Sequence, residues 1–304
     1  MKFIEFIYKT IIKKINIGFF FVLPSLIGLI MFYIIPFFMS IYYSFVRGIY
    51  SSKFVGLKNY IQLFKSDSFL LACGNTVKLI LIAIPILLVL TLFMAVIIDY
   101  LIKKFYVFTY RILTFFMLSI ATPMTAEVLF IKIFFSKYGI INGILVRYKL
   151  SNVLWLENDL VFWLMIFLYI WKNFAMSTLI FLAGISQIDK SLFEAAKIDG
   201  ANCWIIFRYI TLNRLLPYIG FNILFGIINV FKSYRESYLL FGDYPPKSIY
   251  MLQNFLNNNF YNLNYQRLSS ATIVFFVAIF IPIVIFTKNY CKAKEDFFEG
   301  KKKK

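Results

Sequence analysis

The chain has 304 residues, 61% of them hydrophobic and only 15% charged, with a formal charge of +18 and no histidine. A soluble domain of this length needs far more charge to cover its surface, so the composition indicates a polytopic membrane protein. The missing histidines exclude His-based triads, zinc–His motifs and imidazole relays, and the basic excess is read as lysine-rich loops meeting anionic lipid, with no nucleic-acid partner.

The chain opens with a basic segment, residues 1–17, expected on the cytoplasmic side. The apolar run that follows, Gly18 to about Phe45, is too long for the core of a signal peptide and lacks a small-x-small cleavage site. It reads as a retained first span. A spanning helix needs roughly 20 mostly apolar residues, because no backbone polar group can go unpaired in hydrocarbon. On that criterion six transmembrane helices are predicted, over 18–46, 76–99, 106–135, 160–184, 217–241 and 268–288. The fold class is therefore all-α membrane protein, with 18–288 as a single membrane domain and 289–304 as a basic cytoplasmic tail.

Lys and Arg set the orientation. With the N-terminus inside, the segments holding Lys13, Lys14, Lys103, Lys104, Lys190, Lys197, Lys292 and the terminal lysines carry twice the basic charge of the opposite loops. The bias predicts both termini cytoplasmic. Cys73, Cys203 and Cys291 lie far apart, without disulfide or ligand spacing, so no metal site is predicted.

Several polar residues fall inside the predicted spans. Glu127 and Lys132 flank the outer half of the third; Lys172 and Asn173 sit in the fourth; Asn229, Lys232, Arg235 and Glu236 lie in the fifth. Intramembrane charges usually face the bundle interior. Two readings stay open: a polar cavity for a hydroxylated and in some cases anionic solute, or pairing plus snorkelling toward the outer interface. Lys172, Asn173, Asn229 and Lys232 are the substrate-path candidates, since amides and ammonium groups can hydrogen-bond several hydroxyls.

Between the fourth and fifth spans, residues 185–217 are predicted to form a cytoplasmic loop of mixed polarity. Ser191-Leu-Phe-Glu194 fits a capping box at a helix start. Leu192, Phe193, Ala195 and Ala196 offer a compact apolar surface, and Gly200 suits a reversal. A second helical run, Ala201 to Leu216, carries Trp204, Phe207, Ile210 and Leu215 before Pro217 opens the next span. Such a loop either lies at the interface covering the bundle or sits in a groove on another protein.

Glu194-Ala195-Ala196, three residues, Gly200, nine residues, Ile210, one residue and Leu212 resembles the EAA signature of bacterial ABC-importer permeases. Asp199-Gly200-Ala201 and Pro217 match its carbohydrate-permease form; Asn213 stands where that family has its first proline. Further segments resemble the maltose/glycerol-phosphate-type permeases in order: "FVLPSLIGLIMFYIIPFFMSIYYSF" (21–45), "FVGLKNYIQLF" (54–64), "NT" (75–76), "WLEND" (155–159), "LIFLAGISQID" (179–189) and "YMLQNFLNNNF" (250–260).

The resemblance implies a type I, maltose-permease-like importer subunit in the bacterial cytoplasmic membrane. It implies a second EAA permease as heterodimer partner, a cytoplasmic ABC ATPase dimer that binds ATP and Mg, and an extracytoplasmic binding protein that delivers a sugar, polyol or sugar phosphate. It makes Glu194, Ala195, Ala196, Asp199 and Gly200 the ATPase-coupling element. The chain contains no G-x-x-x-x-G-K-[ST], so no phosphate cradle, ATPase activity or cofactor is expected in it. Two rival classes are an ion-coupled carrier or channel, which leaves the EAA loop unexplained, and a membrane enzyme using Glu127 or Glu236, which lacks an accompanying nucleophile, His or metal motif.

Overall fold

The structure, a computed structural model, describes residues 17–48, 53–104, 122–157 and 159–302. Contacts divide the chain into two units, residues 1–65 with 259–276, and residues 66–258 with 277–304.

In the first unit, α1 (Ile17–Leu29) passes through a π-helical turn at Ile30–Ile34 into α2 (Ile35–Phe45). The widened turn has a cause in the sequence. Pro36, at the start of α2, has no N–H to give, and its ring would crowd the preceding carbonyls of a regular helix. After α2, β1 (Val46–Arg47) and β2 (Lys53–Phe54) pair antiparallel, and α3 (Lys58–Phe64) follows. The "GLKNY" stretch now has a physical reading. Gly56 takes the left-handed φ of +57° at the turn. The Asn59 amide donates to the carbonyls of Ser44 (2.9 Å) and Val46 (3.0 Å), and the Tyr60 hydroxyl donates to Ser44 Oγ at 2.8 Å.

The second unit holds α4 (Asp67–Lys104), α5 (Met124–Phe135), α6 (Ile140–Arg147), α7 (Leu160–Ser186), α8 (Lys190–Ile198) and α9 (Cys203–Ile205). A second π-helical stretch, Ile206–Thr211, joins α9 to α10 (Leu212–Lys232), and α11 (Tyr234–Phe241) comes after it. A 3-10 turn at Lys247–Ile249 precedes α12 (Leu252–Tyr261) and α13 (Tyr265–Lys302), whose residues fall in both units. Among the described residues, six helical stretches are long and apolar enough to cross a membrane: Phe21–Phe45, Asp67–Ile102, Met124–Arg147, Leu160–Ser186, Cys203–Phe241 and Tyr265–Ile285.

Three of the predicted spans need correction. The second starts at Asp67 and not at 76, because Asp67 suits a helix N-terminus, no proline intervenes before Asn75-Thr76 and the helix runs through Gly74. Of the third, predicted over 106–135, residues 106–121 lie outside the described residues; Pro123 is extended and not helical, α5 ends at Phe135 as predicted, and α6 carries the membrane-length stretch on to Arg147. The fifth does not open at Pro217. Helix is continuous from Cys203 to Lys232, with Pro217 inside it, where packed neighbours and the widened π turns upstream compensate for the lost N–H.

The core of this unit is where α4, α7 and α10 meet. Leu79, Ala83, Ile84 and Leu87 of α4 pack with Met165 and Tyr169 of α7 and Val230 of α10. Lipid is as apolar as leucine, so close packing and not water exclusion must hold these helices together. Small residues make that approach possible. A Cβ on Gly184 would lie 2.7 Å from Leu215 Cδ2 and 2.8 Å from the Tyr218 ring. Gly184→Ala is accordingly expected to cost about 1–3 kcal/mol through overpacking, seen as a lower melting temperature in detergent. An unchanged melting temperature would show that α10 can back away freely.

Two asparagines tie the loops down. Asn142, 1% exposed, donates to the carbonyls of Ser136, Lys137 and Val153 and accepts from the Val153 N–H and the Trp155 indole. Asn75 donates to the carbonyls of Lys247 (2.6 Å) and Tyr250 (3.0 Å), while the Thr76 hydroxyl accepts from the Leu252 N–H. The "NT" and "YML" segments, about 175 positions apart, thus form one staple.

Candidate functional site

Two places in the second unit gather the residues singled out in the sequence. The first is the loop carrying α8. Asp189 has an extended backbone and its side chain accepts from the Ser191 N–H at 3.0 Å, so it caps α8. The expected Ser191–Glu194 capping box does not form: the helix begins at Lys190, which puts Ser191 in the first turn and Glu194 beyond reach of the cap. Asp189 wins because a carboxylate is the stronger acceptor for an orphan N–H next to the helix dipole.

The other end of α8 is also closed. The N–H of Ala201 reaches the Ala196 carbonyl at 2.9 Å and that of Gly200 reaches Lys197 at 3.1 Å, the paired bonds of a Schellman motif. Gly200 adopts φ +77°, and a Cβ there would meet nothing within 4 Å. Asn202 then caps the following helix by accepting from the Ile205 N–H at 2.8 Å. Leu192, Phe193 and Ala196 are half-buried on the inner face of α8, whereas Glu194, Ala195, Asp199 and Gly200 are exposed, as is Ile198 at 86%. Asn213 is exposed on α10 and its amide donates to the Tyr209 carbonyl at 2.8 Å.

The Ser191 backbone bond holds the Asp189 carboxyl below its ordinary value. A lowered value means that the cap is fully present above the ordinary aspartate range and is lost as the pH falls through the lowered value. Asp189→Ala should therefore speed amide exchange in the first turn of α8 at neutral pH, and the difference from wild type should vanish in strong acid. A difference that persisted in acid would assign the protection to something else.

The second place is a cavity of about 230 Å³ where α7 and α10 meet the break at Ser233. Lys172, Asn173, Asn229 and Lys232, the four substrate-path candidates, all line it, together with Arg235 and Glu236. Asn229 donates to Asn173 Oδ1 at 2.7 Å, Asn173 donates to the Tyr169 carbonyl at 2.8 Å, and the Tyr169 hydroxyl donates to the Gly226 carbonyl at 2.8 Å. This chain of bonds fixes α7 against α10. Lys172 forms an ion pair with Glu236, which is only 3% exposed. Buried Glu127, on α5, lies within electrostatic range of both. One carboxylate oxygen of each glutamate has no hydrogen-bond partner among the described residues. Lys132 has a different place: it donates to the Leu239 carbonyl at the end of α11, at 3.4 Å.

Sequence reasoning missed Asp189, Tyr169 and Ser233. The Asp-x-Ser spacing just before α8 was the available signal for Asp189; an apolar run hides Tyr169, and only the helix break gives Ser233 its position.

Among the described residues, six membrane-length helices, a polar cavity between two of them and a capped amphipathic helix connecting those same two define the class: a multi-pass permease. The model of the family described as binding-protein-dependent transport system inner membrane component matches residues 70–290. The probable ABC transporter permease protein YesP of Bacillus subtilis (strain 168) is 30% identical over 292 residues, covering 92% of this chain and 93% of its own. The trehalose/maltose transport system permease protein MalF of Thermococcus litoralis is 27% identical over 284 residues, covering 92% and 94%. A solved bacterial alginate ABC transporter, in complex with an alginate pentasaccharide-bound periplasmic protein, contains a chain of the same fold, with a TM-score of 0.78 over 92% of this chain and 95% of that one at 20% identity. The chain belongs to the family of binding-protein-dependent transport system inner membrane components. It is a multi-pass inner-membrane permease subunit of such an importer.

Proposed function

We propose that the solute is a sugar or a close relative of one, delivered by an extracytoplasmic binding protein and carried between this chain and a second, distinct EAA permease. Relatives named for trehalose/maltose, arabinooligosaccharide and lactose transport support the solute class. ATP and Mg belong to a separate ATPase dimer, in keeping with the missing Walker-A loop. Residues 18–288 form the permease domain; residues 1–17 and the basic segment 289–304 lie in the cytoplasm with the α8 loop, next to anionic lipid.

The observation that carries the coupling role is α8 itself. Bonds of its own close both ends, and it leaves Glu194, Ala195, Asp199 and Gly200 open on one outer surface. A preformed short helix of this kind loses little entropy when a cleft grips it, and it can pass a rigid-body movement on to α7 and α10. Glu194, Ala195, Ala196, Asp199 and Gly200 are the coupling residues in this reading.

Cys203, free and exposed beside α8, provides the test. In a Cys73→Ser/Cys291→Ser chain, an impermeant maleimide should label Cys203 only in inside-out vesicles, and the bound ATPase should protect it. Labelling in right-side-out vesicles, or no protection, would contradict the assignment.

A further inference from the structure

We propose that the cavity between α7 and α10 selects a solute that carries an acidic group as well as hydroxyls, a carboxylated or phosphorylated glycoside and not a neutral sugar; this rests on the importer reading above. Three cations, Lys172, Lys232 and Arg235, line the cavity. Lys172 is already engaged by Glu236. Lys232 and Arg235 are exposed and make no ion pair among the described residues. They stand three positions apart on either side of Ser233, where α10 ends and α11 begins. When Glu127, the other carboxylate in electrostatic range of Lys172, is counted, positive charge is still in excess.

Snorkelling toward head groups explains a lysine on a lipid-facing surface, but these two side chains border the cavity itself. Even at an exposed rim, two uncompensated cations beside a cavity set up a positive potential that attracts an anion. The arrangement also separates two kinds of recognition. Lys232 and Arg235 at the exposed rim suit a carboxylate or phosphate, the guanidinium being able to engage it in two bonds. Glu236, 3% exposed, keeps one oxygen without a partner, and a buried carboxylate oxygen is an acceptor for a hydroxyl. The Asn173–Asn229 pair holds the wall between α7 and α10 in place.

The test uses the whole importer in proteoliposomes, with its binding protein, and three probes of similar size: a carboxylated oligosaccharide, a phosphorylated one and a neutral one. ATP-dependent uptake is expected for the carboxylated or the phosphorylated probe, and the arm that responds identifies the anion. In Lys232→Gln/Arg235→Gln that uptake should fall about tenfold or more, the scale of losing charge-assisted hydrogen bonds. The charge-preserving Lys232→Arg/Arg235→Lys exchange should retain it, which separates lost charge from lost folding. ATP-dependent uptake of the neutral probe alone, or equal uptake by the wild type and the double glutamine variant, would overturn the proposal while leaving the importer reading intact. ATP-independent uptake of every probe would overturn both.

Discussion

Lys172→Met is expected to destabilise the second unit more than any other single replacement at the cavity. It removes the cation that faces Glu236, a carboxylate 3% exposed with one oxygen already unpartnered, and leaves Glu127 close by as a second negative charge. Breaking a fully buried pair by removing one partner costs roughly 3–5 kcal/mol; because the Lys172 side chain is 38% exposed, about 2–4 kcal/mol is expected here. The same variant combined with Glu236→Gln should recover most of the loss, since no buried charge is then stranded. Thermal unfolding in detergent, run on the wild type, both single variants and the double variant, reads the coupling directly. Additive losses in the double variant would mean that the ion pair contributes nothing and that Lys172 acts only by packing.

Gly200→Asp is expected to abolish uptake while the protein still inserts and binds its ATPase. Two mechanisms could produce such a loss, and they separate cleanly. The first is strain: at φ +77° a residue with a Cβ costs roughly 1–2 kcal/mol, less for Asn and Asp. The second is exclusion: beyond the chain neighbours, nothing lies within 4 Å of the added Cβ, so a side chain there projects outward from the Schellman turn, toward the cleft proposed to grip α8. Gly200→Asn keeps the left-handed turn at little cost and adds a neutral side chain of similar size. Uptake lost in both variants, with ATPase co-purification intact, supports exclusion from the cleft. Uptake retained in Gly200→Asn would assign the Asp effect to charge, and wild-type uptake in both would remove Gly200 from the coupling element.

The sequence made the six spans legible because their signal is composition over about 20 residues, which neighbours cannot override. It made the borders of those spans less legible. Nothing in the run from Asp67 to Asn75 says whether a polar turn of helix belongs to a span or to a loop, and Pro217 looks like a start although packing keeps it inside α10. At the loop, the residues forming α8 were readable and its cap was not: Ser191 and Glu194 have the right spacing for a capping box, but Asp189 two positions earlier competes for the same amide. The four cavity residues Lys172, Asn173, Asn229 and Lys232 could be picked out because polar groups are rare in such spans. Their pairing could not. That Lys172 meets Glu236 depends on how α7 faces the break at Ser233, and this long-range register has no trace in local spacing.

The most direct measurement of the central claim is solute accumulation in sealed proteoliposomes that contain this permease, its partner permease and the ATPase, with the binding protein supplied outside. The account predicts accumulation against a gradient that requires enclosed ATP and the binding protein, and that survives collapse of all ion gradients. Accumulation driven by an ion gradient without ATP would contradict it and would place the charges of α5, α7 and α11 on an ion path instead.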